Sequence, residues 1–267
     1  VDNVAVGYNS LKVITSGGNN VAVGASAGDA ITTGGNNICI GYDSGGVLTT
    51  EDEMVLIGHS AGAAINDDAA DGTVAVGYQA LTALTSGAAN TAIGYQSALT
   101  TTTGHSNTLL GYETGKALGT GASGMTIIGR GAGSATTSQS SADCVIIGKN
   151  AGVGGVGAIS GSIIIGKDAL ATSDGQNVTT CIAIGKTAMN GTWAGGVTDC
   201  IAIGTNSMDA NLNGVTGAIA IGKDALGSLT SGGLNTAVGY QSGMAMTTAE
   251  GNTLLGYQAG VKLNTQA

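Results

Sequence analysis

The sequence contains no phenylalanine and no proline, one tryptophan and one arginine, and only 9% of its 267 residues are charged. Large aromatic rings supply much of the buried area of ordinary cores, so their scarcity excludes a conventional globular core. Without proline or a three-residue glycine period, the 49 glycines do not make collagen. Disorder is excluded as well: 42% of residues are hydrophobic and the mean hydropathy is +0.27, far from the polar, highly charged class. Eight basic residues face seventeen acidic ones, a net charge of −9. A nucleic-acid surface needs clustered Lys and Arg, so no nucleic-acid partner is expected. No apolar run approaches the roughly 18 residues of a membrane span, and no membrane insertion is expected. The chain starts at Val1 without a charged-then-apolar leader, which reads as a processed or excised piece of something longer. Four cysteines do not form a disulfide framework.

What is present is a repeat. An aliphatic-x-aliphatic-Gly motif ends at Gly7, Gly24, Gly41, Gly58, Gly77, Gly94, Gly111, Gly129, Gly148, Gly166, Gly185, Gly204, Gly222, Gly239 and Gly256, at gaps of 17 to 19 residues. These fifteen units cover 1–267 as one continuous repeat domain with no room for another. With this glycine as position 0, position −1 is a branched aliphatic in every unit, −2 is Ala, Cys, Leu or Ile, and −3 is Val, Ile or Thr. Position −4 is often Asn, +2 is polar in fourteen units, +3 is always Ser, Ala or Thr, and +7 is a weaker apolar column.

One short β-branched strand per period of about 18 predicts an all-β fold, a parallel β-solenoid (β-roll) of about 15 coils of 17–19 residues. At about 4.8 Å per coil the stack would be roughly 70 Å long. Helical solenoids need about 34 residues per unit. A left-handed hexapeptide helix needs an aliphatic every six residues, where this chain has Lys12, Asp29, Gly46 and Asn190. Strand residues alternate faces, yet both faces are apolar, the pattern of a strand buried on both sides. A narrow coil covers only one, so a partner is expected on the other. Three chains around an axis, an intertwined or side-by-side homotrimer, is the simplest closed solution for a fibre. A flattened monomer packing Ala-rich strands on each other is the alternative.

The units Asn3-Val-Ala-Val-Gly-Tyr, Asn90-Thr-Ala-Ile-Gly-Tyr-Gln-Ser and Asn235-Thr-Ala-Val-Gly-Tyr-Gln-Ser resemble the repeats of trimeric autotransporter adhesin heads (YadA-like) and of phage tail-fibre proteins. That resemblance implies a trimeric β-roll on a virion or cell surface, extracellular, used in attachment. The function expected is therefore a structural, adhesive fibre segment that mediates or presents attachment. The alternative is a self-assembling structural filament subunit without a ligand. An ice-binding solenoid and a polysaccharide-cleaving β-helix are minor alternatives.

Position +1 forms a stripe, aromatic at both ends and basic between: Tyr8, Tyr42, Tyr78, Tyr95, Tyr112, Arg130, Lys149, Lys167, Lys186, Lys223, Tyr240 and Tyr257. It reads either as a surface for a cell-surface glycan or receptor, with ring faces on sugars and cations on acidic groups, or as amphipathic cover for coil edges. Thr15, Thr32, Thr49, Thr85, Thr102, Thr137, Thr230 and Thr247 occupy +8. Their row would order water as an ice template does, or support turns and ladders. Cys144, Cys181 and Cys200 sit at −4. Cys181 and Cys200, in consecutive coils, fall within disulfide reach, and buried free thiols are the plainer reading. Zinc is not expected, because there is no Cys-x-x-Cys pair with a nearby His. Glu51, Asp52, Glu53, Asp67, Asp68 and Asp71 lie in neighbouring loops, either sharing a Ca²⁺ or forming a solvated acidic edge. His59 and His105 have no identifiable catalytic partners, and neither an enzyme nor a cofactor is expected. Finally, the position 0 glycines are expected to turn the chain at positive φ or to sit where a side chain would strike the next coil, whereas Gly87, a loop glycine, is expected to tolerate substitution.

Overall fold

A computed structural model describes residues 2–136, 141–154 and 157–263. The chain is an all-β parallel solenoid of about 14 turns, and its coils group into two compact units, Val1–Gly131 and Ala132–Ala267. In the first unit the strands are β1 Val4–Val6, β2 Val21–Val23, β3 Ile38–Ile40, β4 Val55–Ile57, β5 Val74–Val76, β6 Thr91–Ile93, β7 Thr108–Leu110 and β8 Thr126–Ile128. In the second they are β9 Val145–Ile147, β10 Ile159–Ser160, β11 Ile163–Ile165, β12 Val178–Thr179, β13 Ile182–Ile184, β14 Val197–Thr198, β15 Ile201–Ile203, β16 Ile219–Ile221, β17 Thr236–Val238 and β18 Thr253–Leu255. Within each unit, each three-residue strand pairs in parallel with the same three positions of the next coil, as in Val74↔Thr91, Ala75↔Ala92 and Val76↔Ile93. Among the described residues the one helical segment is a single 3₁₀ turn, Asp68–Ala70.

The interior is built from positions −2, +3, +4 and +7. Every −2 side chain from Ala22 to Ala237 is at most 1% exposed. Opposite it lie the small +3 residues, with Ala27, Ser44 and Ala80 at 0%, and the +7 aliphatics Ile31, Leu48, Ile65, Leu84 and Leu229. Positions −1 and −3 point outward, and none of them is buried. The coil therefore closes over one face of its strand and leaves the other uncovered.

Three backbone constraints explain the columns. At position 0 the chain leaves the strand at φ near +135°, as in Gly94 (φ 141°), and a Cβ on Gly94 would lie 2.1 Å from the carbonyl oxygen of Gly111 in the next coil. Both of the expected reasons for glycine hold here. Positions +2 and +4 are left-handed in all fifteen coils, from Asn9 (φ 58°) and Leu11 (φ 47°) to Gln258 (φ 53°) and Gly260 (φ 61°). Asn and Asp tolerate that conformation, which suits the Asn and Asp found at +2, whereas Gln79 and Gln96, and Gln241 and Gln258, hydrogen-bond to each other across coils there. At +4 most coils trade size with −2: Ala75, Ala183 and Ala220 accompany Leu81, Met189 and Leu226, whereas Leu56, Leu109 and Ile146 accompany Gly62, Gly115 and Gly152. Ala22 with Gly28, Ala237 with Gly243 and Ile164 with Leu170 depart from the pattern. A Cβ on Gly115 would meet Leu109 Cδ2 at 2.3 Å.

The corner ahead of most strands has one of two solutions, with Met54, Thr73 and Met125 taking neither. Where −4 is Asn, its amide bridges coils: Asn20 Oδ1 accepts from Asn37 N at 3.0 Å, and Asn20 Nδ2 donates to Gly34 O at 2.9 Å. The coils with Cys144, Ser162, Cys181, Cys200 and Ala218 there instead gain a second ladder, β10, β12 and β14, extended by bridges Ala142↔Ser160 and Thr198↔Thr216.

Gly87 corrects an expectation. Its φ is +110°, and a Cβ there would sit 2.3 Å from Gly104 O, so this loop glycine is as constrained as the motif column. Gly72 (φ 72°), with open space around its Cβ position, is the tolerant site. Gly72→Ala should cost about 1 kcal/mol, the left-handed penalty of an L-residue. Gly94→Ala should cost about 3 kcal/mol or more. Equal thermal midpoints for the two variants would show that the inter-coil approach at position 0 is not the constraint. The size exchange is equally testable. Leu109→Ala should lose about 3 kcal/mol and Gly115→Leu about 2 kcal/mol, while the double variant should regain most of both losses in a denaturation cycle. Additive losses would contradict it.

Candidate functional site

Within each unit the zero-shift register carries each +1 residue over its counterpart in the next coil. In the first unit this makes an aromatic stack. Ring centroids are 5.1 Å apart for Tyr42 and His59, 5.2 Å for His59 and Tyr78, 5.2 Å for Tyr78 and Tyr95, and 5.0 Å for Tyr95 and Tyr112. The tyrosine pairs are within 10° of parallel, and the Arg130 guanidinium caps Tyr112 at 5.6 Å. Tyr8 is separated from the stack by Ala25, which occupies +1 between Tyr8 and Tyr42. In the second unit Lys149, Lys167, Lys186 and Lys223 are exposed in the same column. There Lys223 Nζ lies 5.3 Å from the Tyr240 ring, and Tyr240 stacks on Tyr257 at 5.6 Å.

This geometry changes what the stripe can do chemically. Ring faces within the stack are covered by the neighbouring ring, so they are closed to sugars, and each tyrosine presents its edge and hydroxyl instead. The +2 column beside them is a polar chain, with Gln96 Nε2 donating to Gln79 Oε1 at 2.9 Å and Asn206 Nδ2 to Asp224 Oδ1 at 3.1 Å. Asp224 also pairs with Lys223 at 2.9 Å, and the hydrogen bond from that ammonium holds its carboxyl below the usual range. Asp168 pairs with Lys167 at 3.3 Å. On the other side of the stripe lie the uncovered −1 and −3 columns, with Ile93 37% and Leu110 46% exposed.

The other sequence candidates are placed as follows. The +8 hydroxyls of Thr15, Thr32, Thr85 and Thr230 donate to carbonyls one coil on, at 2.9 to 3.1 Å, so those protons serve the solenoid itself. Thr137 lies outside the described residues. The acidic loop residues are spent largely on backbone and hydroxyl groups. Glu51 is 1% exposed, and its Oε2 accepts from Thr49 N and Thr50 N. Asp52 accepts from Gly35 N at 2.6 Å, Asp67 from Ala69 N, Asp68 from the Thr50 hydroxyl and Asp71 from Asp52 N. Glu53 is left-handed (φ 62°) and donates its N–H to Gly35 O. Among the described residues no three His, Cys, Asp or Glu side chains gather as a metal-ion set. His59 is held in the ring stack with Ser60 Oγ at 3.0 Å from its Nδ1. His105, in another column, neighbours Ser106 Oγ at 3.4 Å.

All four cysteines are free and buried. Cys144 Sγ donates to Ile159 O at 3.3 Å, Cys181 Sγ to Val197 O at 3.6 Å and Cys200 Sγ to Val215 O at 3.6 Å. Each carbonyl corresponds to the one that an Asn amide takes elsewhere. The strand register sets Cys181 opposite Cys200. Burial pushes the Cys39 thiol from 9.0 up to about 12, and burial also raises Cys144.

Comparison with protein-family models, with curated proteins and with solved structures finds no match.

Excess thiol reagent at pH 8 should label none of the four cysteines in the folded chain and all four after denaturation. Labelling of the folded chain would contradict their burial. Alkali provides a second readout. Folded Cys39 keeps its proton to about 12, whereas a free thiol loses it at 9.0. Its contribution is therefore intact below 9.0 and is lost as pH rises toward about 12. Cys39→Ala should flatten the fall of stability over that window, and an unchanged slope would contradict the shift.

Proposed function

We propose that this chain is a structural, adhesive fibre segment of an extracellular appendage or virion, which holds attachment surfaces at fixed spacing, and that it associates as a homotrimer. One observation carries this reading: each unit is a closed coil whose −1 branched aliphatic, flanked by Val, Ile or Thr at −3, remains outside the coil along successive strands. Parallel sheets are normally covered on both faces, and an uncovered row of Val, Ile and Leu marks an interaction surface. A second copy offers the same row at the same strand spacing, and three copies around an axis cover one another without leaving an open end to the association.

The resemblance of the Asn-Thr-Ala-Ile-Gly-Tyr units to adhesin heads and tail fibres supports the same conclusion. So does the side-chain economy: few residues are charged, and most polar groups at +2, +8 and −4 are used to lock one coil to the next. Such a chain suits mechanical persistence better than turnover of a substrate.

Light scattering under native conditions should give three times the 25.6 kDa of one chain. Ile93→Lys with Ile147→Lys, both on the outward face, should lower that mass without altering the strand content seen by circular dichroism. A single-chain mass that persists at high concentration would overturn the trimer.

A further inference from the structure

We infer that the second unit binds a linear polysaccharide bearing one carboxylate per sugar, laid along the solenoid over Lys149, Lys167 and Lys186. The inference rests on the reading of the chain as an attachment segment and names the ligand class of its stripe. Two features coincide in these coils. The first is the cation column. The paired strands place Ile147, Ile165 and Ile184 in one row, and Lys149, Lys167 and Lys186, two positions further on, project from consecutive coils and are exposed. Stacked like charges repel. Lys167 has Asp168 as a partner at 3.3 Å, whereas Lys149 and Lys186 have no ion pair among the described residues. Two cations are thus left for external anions.

The second feature is a groove of about 340 Å³ beside that column, lined by Asn150, Asp168 and Thr187 from +2 and by Val153, Ala171 and Asn190 from +5. Its polar wall is ordered by its own hydrogen bonds, with Asn150 Nδ2 donating to Asp168 Oδ1 at 3.2 Å and Thr187 Oγ1 to Asn206 Oδ1 at 2.6 Å. Carboxylate, amide and hydroxyl groups over a small apolar floor are the chemistry that binds sugar hydroxyls and the C–H faces between them. A smaller groove of the same make lies beside Asn206 and Asp224.

The repeat lengths also agree. Coils advance by about 4.8 Å, close to the rise of one pyranose in an extended 1,4-linked chain. Successive sugars of a two-fold chain are turned by half, so alternate carboxylates face the solenoid and meet Lys149 and Lys186, which stand two coils apart. A nucleic acid fits less well. Its bases need free aromatic faces, and the two tyrosines of this unit, Tyr240 and Tyr257, stack on each other.

Titration calorimetry of the intact chain with polygalacturonate, neutral dextran and a single-stranded oligonucleotide tests this. Polygalacturonate should bind and dextran should not. Lys149→Ala with Lys186→Ala, and separately Ala171→Trp to fill the groove, should each weaken binding about tenfold with thermal midpoints unchanged. Absence of polygalacturonate binding overturns the inference. So does an oligonucleotide bound as tightly, or binding indifferent to Ala171→Trp, since either would show only diffuse attraction of polyanions. A chain that keeps its oligomeric mass while ignoring polygalacturonate would overturn this inference and leave the fibre reading standing.

Discussion

Within each unit, every strand residue lies one strand spacing from the residue at the same position of the next coil. That constraint means each column must be compatible with itself. A side chain at position 0 would strike the next coil's carbonyl, so only glycine repeats there, as the 2.1 Å approach at Gly94 shows. Asn repeats at −4 because its amide both donates and accepts, and one Asn can satisfy the backbone of the next. Tyr repeats at +1 because rings stack on rings at about the strand spacing. Composition follows from the same rule. Phe has no polar edge to keep wet in the outer columns, and an interior only a few side chains wide has little room for a large ring.

The repeat, the strand and the solenoid were all legible, because they depend on periodicity and on where Gly and branched aliphatics fall. The division of the strand into inside and outside was not. Both faces are apolar, and the preference for Ala at −2 shows as an inward choice only when the +3 and +7 columns are seen to close over it. The uniform polarity at +2 was visible, but its cause, a left-handed backbone in fifteen successive coils, was not, since Asn and Gln also suit ordinary turns. Gly87 was misread for a related reason. A loop glycine looks free in sequence, whereas in a stack even the loops lie under the carbonyls of the next coil.

The cysteines show how the same rule permits substitution. Three of them replace the corner Asn and donate to the equivalent carbonyl one coil on. A thiol lacks the acceptor with which Asn receives the next backbone N–H. In these coils the added ladder of β10, β12 and β14 supplies backbone pairing instead. Spacing alone made Cys181 and Cys200 resemble a disulfide pair, yet their hydrogen bonds identify them as stand-ins for an amide.

Self-compatibility is hardest to satisfy for charge. Glycine, amides and rings gain by stacking on themselves, but lysines lose, and a column of them needs compensation at every coil. The fold provides part of it in the adjoining column, with Asp168 and Asp224 beside Lys167 and Lys223. Asn150 and Thr187 take the same place beside Lys149 and Lys186 and carry no charge. Tyr occupies this column in the coils of Tyr78, Tyr95 and Tyr112 and stacks favourably there, so structural cover of the coil edge does not call for lysine. In the proposed complex the carboxylates of an acidic polysaccharide would supply the compensation that Lys149 and Lys186 lack within the chain.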